Sequence, residues 1–169
     1  MADTTDRVAA GYAPGEDRPL RAYLVLTAIF GALTACSLAL ARARGRELDR
    51  PRAIDVLLAG LATQKLSRVI AKGKVTSFVR APFTRYVEPV GRGELSEEPR
   101  GSGMRHALGE LLVCPFCLSQ WVAAGFGLGW IVAPRTTRFV AAMWSARSVA
   151  DLAQLVYSAA EKRSSTSRA

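Results

Sequence analysis

The stretch Ala22-Tyr23-Leu24-Val25-Leu26-Thr27-Ala28-Ile29-Phe30-Gly31-Ala32-Leu33-Thr34-Ala35-Cys36-Ser37-Leu38-Ala39-Leu40-Ala41 runs for 20 residues without a charge, between Arg21 and Arg42. A bilayer core of ~30 Å needs about 20 apolar residues at ~1.5 Å of rise each, so this run has the length of one crossing. A second uncharged run, Leu111–Pro134, has 24 residues and is bounded by Glu110 and Arg135. Between such runs the charge is gathered into short, arginine-dense connectors. The chain has 169 residues, half of them hydrophobic and 22% charged, with 23 Lys+Arg against 14 Asp+Glu for a net charge of +9. Apolar runs segregated from basic connectors indicate a small integral membrane protein. Three cysteines are too few for a secreted disulfide scaffold.

The sequence predicts an all-α membrane bundle of three to four helices with a long cytoplasmic loop. A polar tail over 1–21 leads into a transmembrane helix over 22–41, and a basic connector fills 42–52. A membrane domain over 53–160 follows, then a polar tail over 161–169. Within that domain, 53–71 is a partial or full span, because Asp55, Gln64, Lys65 and Arg68 interrupt its apolar middle. Residues 72–106 form the loop, and 107–133 and 139–160 are transmembrane helices. Leu33-Thr34-Ala35-Cys36 resembles a lipoprotein cleavage box. However, five more uncharged residues and then five arginines in eleven positions follow it, so a retained anchor is the better reading.

Orientation follows from the Lys and Arg near helix ends. If 53–71 stays on one side, 16 such residues face inside and 5 outside; if it crosses, 14 face inside and 7 outside. Either way the middle loop and the C-terminal tail are cytoplasmic. The expected partners are the lipid bilayer, whose anionic headgroups attract basic connectors, and a homo-oligomer or membrane-protein partner. No nucleic acid is expected, because aromatic interleaving of the basic residues is missing.

The loop reads as a surface-lying half, Val75–Phe83, and a flexible Gly- and Pro-bearing linker, Val90–Gly103. Glu94, Glu97 and Glu98 read as solvated. The chemistry-bearing set is His106, Glu110, Cys114, Cys117 and Trp121. On an uninterrupted helix at ~100° per residue these five share one stripe about 80° wide. Cys114-Pro115-Phe116-Cys117 has the spacing of two thiolates on one metal ion, or of a dithiol/disulfide pair. His106 and Glu110 would complete four ligands for zinc; no other cofactor is implied. If Pro115 starts a helix, its N-terminus lowers a thiol pKa. The structural alternative is that small cysteines permit close helix packing, as do Gly125 and Gly129 in a G-x-x-x-G, with Trp121 as an apolar contact. Arg147 and Asp151, four apart near the middle of the last segment, read as an intramembrane ion pair.

The stretch from about Leu58 to Trp121 resembles the bacterial family catalogued as domain of unknown function 1360. The resemblance is carried by Ser67-Arg68, Arg80-Ala81-Pro82-Phe83, Gly101-Ser102-Gly103-Met104-Arg105, and Gly109-Glu110-Leu111-Leu112-Val113-Cys114-Pro115-Phe116-Cys117 followed by Trp121. It implies a small bacterial membrane protein with a C-x-x-C motif, and no activity; the expected localisation is the bacterial plasma membrane, crossed several times. The expected function is a non-enzymatic accessory or scaffold component acting through helix packing. One rival is a membrane-tethered thiol site, metal-binding or redox, at Cys114 and Cys117. A second is a small transporter or proton path through Arg147 and Asp151.

Overall fold

The computed structural model describes residues 12, 18–45 and 51–166. Most of the two polar tails' ends and the middle of the basic connector therefore lie outside the described residues. The described residues are mostly helical with two strands. In order, the elements are α1 (Leu20–Ala43), α2 (Ala53–Lys72), α3 (Ser77–Arg80), β1 (Thr84–Gly91), β2 (Glu94–Pro99), α4 (Gly103–Val113), α5 (Pro115–Val132) and α6 (Pro134–Thr166).

Four long helices run up and down. Asp55 at the start of α2 pairs with Arg138 at the start of α6, 3.2 Å away, which places these two helix starts together. Farther along, the hydroxyl of Ser145 donates to the carbonyl of Leu58 at 2.6 Å, and Lys65 meets Asp151. Helices α2 and α6 are therefore parallel. α5 returns against both, through a core of Ala62, Phe126 and Ala141 flanked by Leu58, Val122, Val140 and Trp144. α1 leans on α4 and α5, with Phe30 edge-on to Trp121 at 5.3 Å between ring centroids. Helix α2 is 20 residues long, about 30 Å, and its two ends lie at opposite ends of the bundle. We call these the turn end, where α5 passes into α6, and the hairpin end.

The sequence reading of 72–106 as a loop needs correction. β1 and β2 pair antiparallel, with Thr84 opposite Pro99 and Gly91 opposite Glu94. Their two-residue connection, Arg92–Gly93, has φ of 54° and 76°, the paired positive values of a tight hairpin turn. The three glutamates expected to be solvated each hold an arginine. Glu98 takes Arg85 across the ladder at 2.8 Å, and Glu94 takes Arg68 of α2 at 2.7 and 2.9 Å.

Glu97 accepts two hydrogen bonds from Arg80, at 2.9 Å from Nε and 2.8 Å from Nη2. The Arg80 side chain has no exposed surface and that of Glu97 has 5%. The other N–H groups of Arg80 go to the carbonyl of Ile70, to Thr76 Oγ1 at 3.1 Å and to the carbonyl of Gly73 at 3.0 Å. All five guanidinium donors are thus used. Burial pushes the Glu97 carboxyl up, but the hydrogen bonds from Arg80 and Thr84 outweigh it and hold the group below its ordinary range.

Replacing Glu97 with Gln leaves a buried guanidinium facing a neutral partner and is expected to cost about 3–5 kcal/mol. Arg85→Ala, at a pair exposed by 74% and 54%, should cost about 1 kcal/mol or less. Denaturant unfolding in mild detergent compares the two. Because the Glu97 pKa is depressed, its contribution is full above the ordinary carboxylate range and fades as pH falls through the folded value.

Candidate functional site

Helix α4 ends at Cys114, whose backbone is extended (φ −100°, ψ 105°), and α5 starts at Pro115. Proline fits a first helical position because its missing N–H would have no intrahelical acceptor there. The uninterrupted helix behind the five-residue stripe is therefore broken at Cys114. Cys114 caps α5 instead. Its Sγ accepts the backbone N–H of Cys117 at 3.2 Å, which fixes the two cysteines across the first turn. Burial raises the Cys114 thiol, but hydrogen bonds from the Cys117 thiol and from the Cys117 and Phe116 N–H groups outweigh it, and Lys72 adds its charge. The net effect is a lowered pKa.

His106 and Glu110 are four apart on α4, with His106 Nε2 3.6 Å from Glu110. Glu110 is turned toward α1, where it accepts from the Tyr23 hydroxyl and from Arg18 at 3.4 Å. Among the described residues, no three His, Cys, Asp or Glu side chains are gathered as a metal ion would need. His106, Glu110, Cys114 and Cys117 are thus neighbours that form no common ligand set. Glu110, Cys114, Cys117 and Trp121 do line one cleft of about 780 Å³ between α1, α4 and α5.

Two glycines shape the surroundings. A Cβ on Gly109 would come within 2.6 Å of the Phe83 carbonyl, so the hairpin closes onto α4 only because that position is glycine. A Cβ on Gly129 would meet Thr137 at 2.6 Å, whereas one on Gly125 meets nothing within 4 Å. The G-x-x-x-G is therefore split. Gly129 seats the first turn of α6, and Gly125 faces a second cleft.

Arg147 and Asp151 are in contact, and Lys65 of α2 joins them. Asp55, paired with Arg138 and Arg52, and Glu110, paired with Tyr23 and Arg18, are engaged elsewhere. Lys65 was legible as a charge inside an apolar run, though its partner was not.

The family model described as "Protein of unknown function (DUF1360)" matches residues 57–157, more than half of the chain. The chain belongs to the DUF1360 family. The matched block runs from within α2 to within α6, so it includes the hairpin, the Cys114–Cys117 turn and the Lys65–Asp151 contact, and leaves α1 out. The UPF0713 protein YngL of Bacillus subtilis (strain 168) is 30% identical over 91 residues, which cover 52% of this chain and 66% of YngL. No solved structure matches the chain.

At neutral pH, Cys114 is expected to alkylate faster than Cys117, and Cys117→Ala should slow Cys114 severalfold by removing its side-chain donor. Mass-spectrometric rates with iodoacetamide across a pH series measure both effects. The Lys65 side chain is 11% exposed and that of Arg147 52%. Asp151→Asn should therefore lower the thermal midpoint more than Arg147→Gln, because it leaves the more buried cation unpaired.

Proposed function

We propose that the protein is a multi-pass plasma-membrane protein that exchanges thiols and disulfides through Cys114 and Cys117 at its cytoplasmic face. The membrane part is supported by an inverted burial pattern. Helices α1 and α5 are long and apolar enough to cross a bilayer, yet only 6% and 11% of their apolar windows are buried. A water-soluble core helix would be mostly covered. Apart from Leu118 and Phe126, the buried positions are small or polar (among them Ala59, Ala62, Ala141, Asp55, Lys65 and Ser145), while Leu33, Leu57, Phe139, Leu152 and Val156 are exposed. That distribution suits packing in lipid, where small residues let backbones approach and polar groups turn inward. In this reading α1, α2, α5 and α6 all cross. With the two tails counted, 14 Lys and Arg residues flank the helices on the hairpin side and 7 on the turn side in sequence, which makes the hairpin end cytoplasmic. Val75 and Phe78, exposed beside the hairpin, would sit in the headgroup layer.

The observation that carries the chemistry is the hydrogen bond from the Cys117 N–H to Cys114 Sγ at the start of α5. It gives the pair an asymmetry of roles. The Cys114 thiolate attacks one sulfur of a partner disulfide and expels the other as a thiolate, leaving a mixed disulfide. Cys117, losing its proton to the departing thiolate or to water, then attacks Cys114 Sγ. A Cys114–Cys117 disulfide forms and the second partner thiol leaves. The cytosol keeps thiols reduced, so the resting form is the dithiol.

Purified protein treated with oxidised glutathione should lose both thiols to an internal disulfide. Cys117→Ser should accumulate a glutathione adduct on Cys114, and Cys114→Ser should accumulate far less. Equal trapping by the two variants would remove the assigned roles. Failure of the wild-type pair to oxidise under these conditions would remove the function. Resistance to alkaline carbonate extraction tests the membrane placement separately.

A further inference from the structure

The second cleft lies at the turn end between α1 and α5, with a volume of about 1010 Å³. Its walls are Leu33 and Leu38 of α1 and Leu128 and Ile131 of α5, with Gly125 leaving space between them. The hydroxyls on its α1 wall are spent within their own helix: Thr34 donates to the Phe30 carbonyl at 2.9 Å and Ser37 to the Leu33 carbonyl at 2.7 Å. A lining of that kind holds hydrocarbon and gives water little to bond. Phe30 and Trp121, edge to face, close the deep end. From Trp121 to Ile131 is roughly 15 Å along a helix, half of a bilayer core of ~30 Å. The cleft is therefore one leaflet deep.

Its other end is charged. Asp55 and Arg138 line it, and the Asp55 carboxylate is shared between Arg138 at 3.2 Å and Arg52 at 3.2 and 3.4 Å. Two guanidiniums meet one carboxylate. In sequence, the stretch 42–52 that leads into α2 holds five arginines and two acidic residues. Positive charge is in excess at the mouth of an apolar slot.

We infer that this cleft binds one anionic phospholipid of the outer leaflet, its phosphate at Arg52 and Arg138 and an acyl chain lying between α1 and α5 down to Trp121. The inference rests on the membrane placement proposed above and is independent of the thiol chemistry. Guanidinium groups suit the head because they bind phosphate with two parallel N–H donors. The chain fits because an apolar slot open to the bilayer interior is filled by lipid tails.

The full-length protein, purified in mild detergent and exchanged into nanodiscs of mixed phosphatidylglycerol and phosphatidylcholine with identical chains, tests this by native mass spectrometry after release from the disc. Wild type should retain phosphatidylglycerol in preference to phosphatidylcholine. Gly125→Phe, which fills the slot from a position with open space around it, should lose retained lipid of both kinds. Gly125→Ala should behave as wild type. Arg138→Gln should keep a chain-bound lipid but lose the preference for phosphatidylglycerol. Equal retention by Gly125→Phe and wild type, or no headgroup preference in wild type, would overturn the assignment. A protein that fails to enter discs at all would instead overturn the membrane placement beneath it.

Discussion

The guanidinium of Arg80 organises the hairpin end. It is fully enclosed, and it collects the carbonyls of Ile70 and Gly73 at the close of α2, the hydroxyl of Thr76 and both oxygens of Glu97 from β2. A buried charge is tolerated only where its partners satisfy it completely, so this contact fixes where β2 lies relative to α2. The rest follows in order. Fixing β2 brings Phe83 and Pro99 against Gly109, which seats α4, and the end of α4 delivers Cys114 to the start of α5. The position of the dithiol thus depends on an arginine four elements earlier in the chain.

Much of the helical layout was legible because it is written in local hydropathy. The runs 22–41 and 107–133 and the segment 139–160 all fall on helices, the second one broken at Pro115 where proline can only begin a helix. The hairpin was not legible, for a physical reason. Its strands, Thr84-Arg85-Tyr86-Val87-Glu88-Pro89-Val90-Gly91 and Glu94-Leu95-Ser96-Glu97-Glu98-Pro99, show no clean alternation and carry a proline each. Two of their three glutamate partners, Arg68 and Arg80, come from outside the hairpin, and no window of local sequence records such pairings. The C-x-x-C was visible as spacing. Its asymmetry was not, because that depends on which cysteine caps the helix.

Helix α2 shows why average hydropathy misses a helix that the proposed placement takes across the membrane. Its polar residues depress any window average, yet Asp55, Lys65 and Ser67 are turned inward against partners, while Ile54, Val56 and Leu57 face outward. The average mixes two faces with opposite surroundings. Helix α6 has the same character, with Thr137 and Ser145 buried and Phe139, Met143 and Leu152 exposed. The two helices pack face to face, so each supplies the polar environment that the other lacks.

Under the membrane placement proposed above, that reciprocity has a consequence for biosynthesis. Lys65 and Asp151 are 86 residues apart in the chain. At a synthesis rate of ~5–20 residues per second, Lys65 emerges roughly 4–17 s before the carboxylate that neutralises it. During that interval α2 carries an uncompensated ammonium group, whose cost at the bilayer centre is about 2.5–3.5 kcal/mol on insertion scales. Helix α2 therefore has reason to wait beside the translocation channel, or at the headgroup layer, until α6 is made. On that placement, the order of entry into the membrane differs from the order of translation.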